Sequence, residues 1–286
     1  MIHRTLSSAL TRLVSLKRLW LLYYLPGLIF AALVAIPFRA VLSDWAGSTL
    51  AAGRLGEGLD MTFFIELIKY RGNALSPLLL LALLLALLYW LWLLFLSGGA
   101  VKLLGTDHPW RPREFWDACG RYFGRFLRIF LWSVPLLSLL LLFPWLLKLP
   151  ERLIWGKDPG DNITLLLSYL KMASRFLALM LWALFFDYGR ILTVARNEKR
   201  SRCLLRPLLL FLFHHFGRIL LLAIFLSAIS LVGILIYTLI ANRLAASAAA
   251  ALFLFIWQQL YMFFRAGMRL LGLGAQVQLY LRLART

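Results

Sequence analysis

Apolar runs of about twenty residues recur along this 286-residue chain, and the polar gaps between them are too short to hold a soluble core of their own. A run of that length and oiliness is stable as a membrane-crossing helix, because a helix satisfies its own backbone N–H and C=O groups where no water can. The runs fall near residues 19–38, 77–96, 126–147, 176–194, 219–241 and 248–271. They predict an all-α, polytopic transmembrane bundle of about six spans, forming a single integral membrane domain over residues 1–286. The apolar share of 62% and the mean hydropathy of +0.82 agree, since soluble domains are only roughly half apolar. Leu19 to Phe38 is longer than a signal-peptide core and no small-residue cleavage site follows it, so it is expected to stay as an anchor.

The formal charge is +19, from 31 Lys and Arg against 12 Asp and Glu. In a soluble protein this would suggest nucleic acid; in a membrane protein it reads as cytoplasmic loops facing anionic head groups, and no nucleic-acid partner is expected. With six spans and the N terminus inside, 21 of the basic residues fall on the cytoplasmic side and 10 outside, so both termini should be cytoplasmic. Cys119 and Cys203 then lie on the reducing side, and a disulfide is not expected.

Between the spans, Arg4 to Arg18 alternates basic groups with Leu6, Leu10, Leu13 and Leu16, the pattern of an amphipathic helix on the inner leaflet. Met61 to Arg71 has the spacing of a short amphipathic helix on the outer surface. Span two should end at Ser97-Gly98-Gly99, a new helix can start at Pro112, and Ser201 can cap another. Gly272 to Thr286 reads as a tail. Phe123-Gly124-Arg125 opens span three as Phe216-Gly217-Arg218 opens span five, and Ser97-Gly98-Gly99, Asp187-Tyr188-Gly189 and Arg265-Ala266-Gly267 close the even spans. These matches suggest three two-helix repeats.

The residues with chemical character are few. Asp187 and Arg190 lie three apart at the end of span four and can pair on one helix face, with Arg265 as another partner for Asp187. Arg113, Arg121, Arg125, Arg196, Lys199, Arg200, Arg202 and Arg206 form a basic cytoplasmic surface suited to anionic lipid or a protein partner. Gln258 and Gln259 could line a polar cavity in span six. Adjacent His214 and His215 point about 100° apart on a helix and cannot grip one ion together. His108 has no second histidine or cysteine at metal-ligand spacing. No nucleotide-binding glycine loop, zincin motif or nucleophile elbow is present, so no catalytic residue, cofactor or metal is expected.

The segments Phe95-Leu96-Ser97-Gly98-Gly99, Glu114 to Arg128 and Phe186-Asp187-Tyr188-Gly189-Arg190-Ile191 resemble a family of uncharacterised six-helix bacterial inner-membrane proteins. That family is distantly similar to the membrane domains accompanying some glycerophosphodiester phosphodiesterases. It usually carries Asp-Tyr-Ala-Arg-Ile where this chain has Asp187-Tyr188-Gly189-Arg190-Ile191, a small-for-small exchange. The resemblance implies a bacterial inner-membrane location and lends no catalytic residue. Two functions are therefore expected in order: an accessory or scaffold subunit working with other membrane proteins, then a transporter or binder of lipids or small amphiphiles.

Overall fold

Eight helices and no strand make up the described residues of the computed structural model, which are 2–47, 61–106, 110–146, 161–198, 201–243 and 248–284. The helices are α1 (Ile2–Ser15), α2 (Lys17–Gly47), α3 (Met61–Gly105), α4 (Pro112–Leu146), α5 (Asp161–Arg196), α6 (Ser201–His214), α7 (Phe216–Ala241) and α8 (Ala248–Leu283). Among the described residues, five segments are long and apolar enough to cross a membrane: Lys17–Asp44, Leu75–Gly105, Pro112–Leu142, Ile163–Arg196 and Phe216–Ala241. The sixth expected span lies inside α8 and is not one of the five. Large apolar side chains stand exposed along the helices, including Leu79 and Leu83 of α3, Leu166 and Leu170 of α5, Leu231 and Leu235 of α7, and Phe255 and Ile256 of α8. A polytopic membrane bundle puts such residues against acyl chains.

The helices run through several expected boundaries. The separate amphipathic helix expected at 61–71 is continuous with span two through Pro77, the helix starting at Pro112 continues into span three, and the tail after Gly272 is the last third of α8. In each case continuing costs less than stopping, since a break near lipid strands backbone groups that only the next turn can satisfy. The Ser97-Gly98-Gly99 segment likewise does not end α3. A Cβ on Gly99 would come 2.5 Å from Phe115 and 2.7 Å from the Cys119 sulfur, so that glycine is a contact point for α4. The two Phe-Gly-Arg segments differ locally: Phe123 to Arg125 lies within continuous α4, whereas Phe216 starts α7 after a break at His215. Asp60, Lys199, Arg200, His108 and the Asp158-Pro159-Gly160 turn lie outside the described residues.

The chain divides into two interleaved compact units. The first comprises Met1–Val14, Ser97–Ser227 and Leu271–Thr286. In it α4 packs against α5, and α6 lies on α5. Phe126, Tyr188, Ile191, Leu208, Ile219 and Leu222 are fully buried there. Gly189 lets α5 approach its neighbours, its position lying 3.0 Å from Ile129 and 3.4 Å from Leu208 by Cβ reach. Helix α1, expected on the lipid surface, turns Thr5, Ala9 and Leu13 into this unit and leaves Leu10 exposed. The second unit comprises Ser15–Leu96 and Ala228–Leu270. Aromatic side chains fill the gaps there: Tyr89 against Gly27, Phe264 against Gly233, Trp20 against Gly267, and Tyr237 stacked on Tyr261 at 4.7 Å. The Pro26-Gly27 pair thus marks a close helix contact.

Candidate functional site

Asp187 and Arg190 sit one turn apart on α5, and an Arg190 Nη2 hydrogen donates to Asp187 Oδ1. The other carboxylate oxygen accepts a hydrogen bond from Gln276 Nε2 of α8 at 3.0 Å. The Arg190 guanidinium carbon lies 4.6 Å from the centroid of the Phe186 ring, a cation–π placement that covers the charge with an apolar face. Both oxygens of Asp187 are therefore engaged within the first unit, by Arg190 and Gln276. Arg265, the other partner expected from the sequence, belongs to the second unit. Gln276 was hidden by reading residues 272–286 as a tail. The signal was there in Leu273, Val277 and Tyr280, whose spacing of four and three continues a helix that Gln276 shares.

The turn around this pair is tightly held. Thr193 is fully buried and returns its hydroxyl hydrogen to the Gly189 carbonyl at 2.7 Å, while Tyr188 packs its ring against Phe211 at 5.7 Å. One level along, Trp182 Nε1 donates to Ser133 Oγ at 3.0 Å, and Ser133 in turn donates to the Phe130 carbonyl at 2.7 Å. Helix α5 ends at Arg196, and the φ of 48° at the following Asn197 is the left-handed conformation that Asn tolerates better than most residues. Its side-chain oxygen accepts from Arg125 Nη1 at 3.0 Å and from the Tyr122 hydroxyl at 3.4 Å.

Six residues of the expected basic surface lie among the described ones. Arg113, Arg196, Arg202 and Arg206 are exposed. Arg121 pairs with Asp117 at 2.8 Å in the open, Arg125 reaches Asn197 and the Glu198 carbonyl, and Arg202 lies over the Trp132 ring at 5.6 Å. Exposed i, i+4 pairs such as Arg121–Asp117 contribute only about 0.3–0.5 kcal/mol.

In the second unit Gln259 Oε1 accepts the Tyr24 hydroxyl hydrogen at 2.8 Å, and Gln258 is exposed. A cavity of about 260 Å³ lies instead one to two turns further along α8, lined by Ser230, Tyr261, Phe264, Arg265, Met268 and Arg269. At the α6–α7 break, His215 sits edge-on to Phe211 at 5.1 Å and to His214 at 4.7 Å. Its pKa is lowered from the ordinary 6.5, first by burial and then by the charges of His214 and Arg218. Among the described residues no three of His, Cys, Asp and Glu gather in a way that could hold a metal ion. No protein-family model matches the chain, and no curated protein or solved structure matches it either.

Proposed function

We propose that this chain is a non-catalytic, multi-pass protein of a bacterial inner membrane, with both termini cytoplasmic, acting as an accessory or scaffold subunit of a membrane assembly. The observation that carries this reading is where the inward polar groups go. Asp187 is taken up by Arg190 and Gln276, Gln259 by Tyr24, and Ser133 by Trp182 and a backbone carbonyl. Asp187, Gln259 and Ser133 are each held to a second helix, by Gln276, Tyr24 and Trp182, so none of these three is left to escort a solute. A transporter needs a water-accessible polar route, or a charge that changes partner, near mid-membrane. The exposed Arg113, Arg196, Arg202 and Arg206 then serve as the surface offered to partner subunits and anionic head groups.

Purification of the full chain in a mild detergent, followed by mass spectrometry of what accompanies it, tests this. A stoichiometric membrane-protein partner that is lost in an R113E/R206E variant is the expected result. A chain that purifies alone and carries a solute flux abolished by Asp187→Asn, with folding intact, would establish transport instead.

A further inference from the structure

Several arginines of this protein donate to a protein oxygen: Arg190 to Asp187, Arg125 to Asn197, Arg12 to the Leu103 and Thr106 carbonyls, and Arg282 to Ser8. Arg265 and Arg269 have no such partner among the described residues, and both line the 260 Å³ cavity of the second unit. They are one turn apart on α8, which brings them to one face with Cβ atoms about 5–6 Å apart. Tyr261, Phe264, Arg265, Met268 and Arg269 stand at i, i+3, i+4, i+7 and i+8, which is one face of a helix. The cavity is therefore a single helical stripe that begins aromatic and ends cationic, with Ser230 of α7 as its facing wall.

The depth of the stripe follows from its neighbours. Gly267, between the two arginines, lies against the Trp20 ring at 3.0 Å by Cβ reach, and Trp20 follows Lys17 and Arg18 at the start of a candidate span. A tryptophan beside a basic pair is the signature of the membrane–water interface, so the two guanidinium groups stand at head-group level. Towards the membrane interior, the exposed Phe264 and Leu260 continue the same helix with apolar surface. Two unanswered cations at phosphate depth, joined to an oily track, match a molecule with an anionic head and an acyl tail. A positive charge on the head, such as the ammonium of a zwitterionic lipid, would be repelled by the pair, which disfavours zwitterionic lipids.

We propose that Arg265 and Arg269 clamp the phosphate of an anionic phospholipid of the phosphatidylglycerol class, its glycerol seated in the cavity and its chains lying along Phe264 and Leu260. Guanidinium forks suit this role because they bind phosphate oxygens two at a time. The site rests on the second unit alone and does not depend on the accessory-subunit reading.

The test is native mass spectrometry of the full-length chain in one detergent, with phosphatidylglycerol and phosphatidylcholine added in equal amounts. Wild-type chain is expected to retain phosphatidylglycerol preferentially, and R265Q/R269Q to lose about 25-fold in retention, or about fivefold for each arginine. R265K/R269K, which keeps the charge and loses the forks, falls between the two. R128Q/R218Q removes the same charge from exposed positions outside the cavity and outside the proposed partner surface, and changes retention by less than about twofold. Wild-type chain that holds both lipids equally overturns the proposal without any variant, which decides the matter even if the glutamine chain fails to fold. Equal losses in R128Q/R218Q and R265Q/R269Q also overturn it, as a general charge effect. Inorganic phosphate offered without lipid should give no adduct; a phosphate adduct that displaces phosphatidylglycerol would identify a free-anion site and refute the lipid assignment.

Discussion

Gly99 and Gly124 are both glycines inside long helices, yet they do opposite things. A methyl group on Gly99 would collide with Phe115 and the Cys119 sulfur, whereas one on Gly124 would meet open space. Gly99→Ala is expected to lower stability by about 1–3 kcal/mol through overpacking, and Gly124→Ala to leave it unchanged or raise it by up to about 1 kcal/mol through helix propensity. Thermal unfolding in detergent checks the pair, and equal responses would refute the assigned contact. At Asp187 the side chain is 25% exposed and that of Arg190 14%. Asp187→Asn strands the arginine, at a cost below the roughly 3–5 kcal/mol of a fully buried pair because the pair is only partly buried. Gln276→Leu removes one hydrogen bond and should cost about 1 kcal/mol. His215 carries the pH dependence that lies outside the spans. Its folded pKa is below the ordinary 6.5, so the folded protein binds fewer protons there than the unfolded chain. Its contribution to stability is complete above 6.5 and is lost as pH falls through the folded value. Titration of its imidazole signals by NMR should give a midpoint below that of an exposed histidine, and His215→Gln should flatten this part of the stability–pH curve.

At the scale of elements, α1 is docked by more than its apolar face. The last carbonyls of α3 have no intrahelical donor. Arg12 donates to the Leu103 and Thr106 carbonyls and Gln278 Nε2 to the Leu104 carbonyl at 3.2 Å, so a helix from each end of the chain closes the C-terminus of α3. Arg282 adds a 2.9 Å hydrogen bond to Ser8. Arg12→Ala should loosen α1, seen as faster amide exchange and easier proteolysis across residues 2–15 with the rest of the first unit unaffected. Unchanged protection would mean that Ala9 and Leu13 hold α1 by packing alone. The same logic explains why α4 is one helix of 35 residues while α6 and α7 are two. In α4 the surface segment and the span share an uninterrupted ladder, and at His215 the ladder is interrupted.

For the whole molecule, the alternation of apolar runs with basic loops sets the topology that the proposed function needs. Reporter fusions after Arg39 and after Arg196 should report opposite sides. Cys203 is exposed and Cys119 buried. A membrane-impermeant maleimide should therefore label Cys203 in inverted vesicles, leave it unlabelled in right-side-out ones, and leave Cys119 unlabelled in both. Labelling of Cys203 from outside would invert the orientation.

What the residues determine without help is whatever depends on local composition and spacing. Runs of leucine and phenylalanine must become helices in lipid, and Asp187 and Arg190, three apart, must share a face. The all-helical membrane class and that ion pair are legible for this reason. The partners that lie far apart in the chain are not legible. Gln276 meets Asp187 across 89 positions, Gln259 meets Tyr24 across 235, and Ser230 faces Arg265 only because α7 and α8 pack side by side. Period and propensity describe one helix at a time, and they cannot say which helix is next to it. That choice belongs to side-chain packing, where glycines at 27, 99, 189, 233 and 267 admit particular neighbours, and only the tertiary structure makes it.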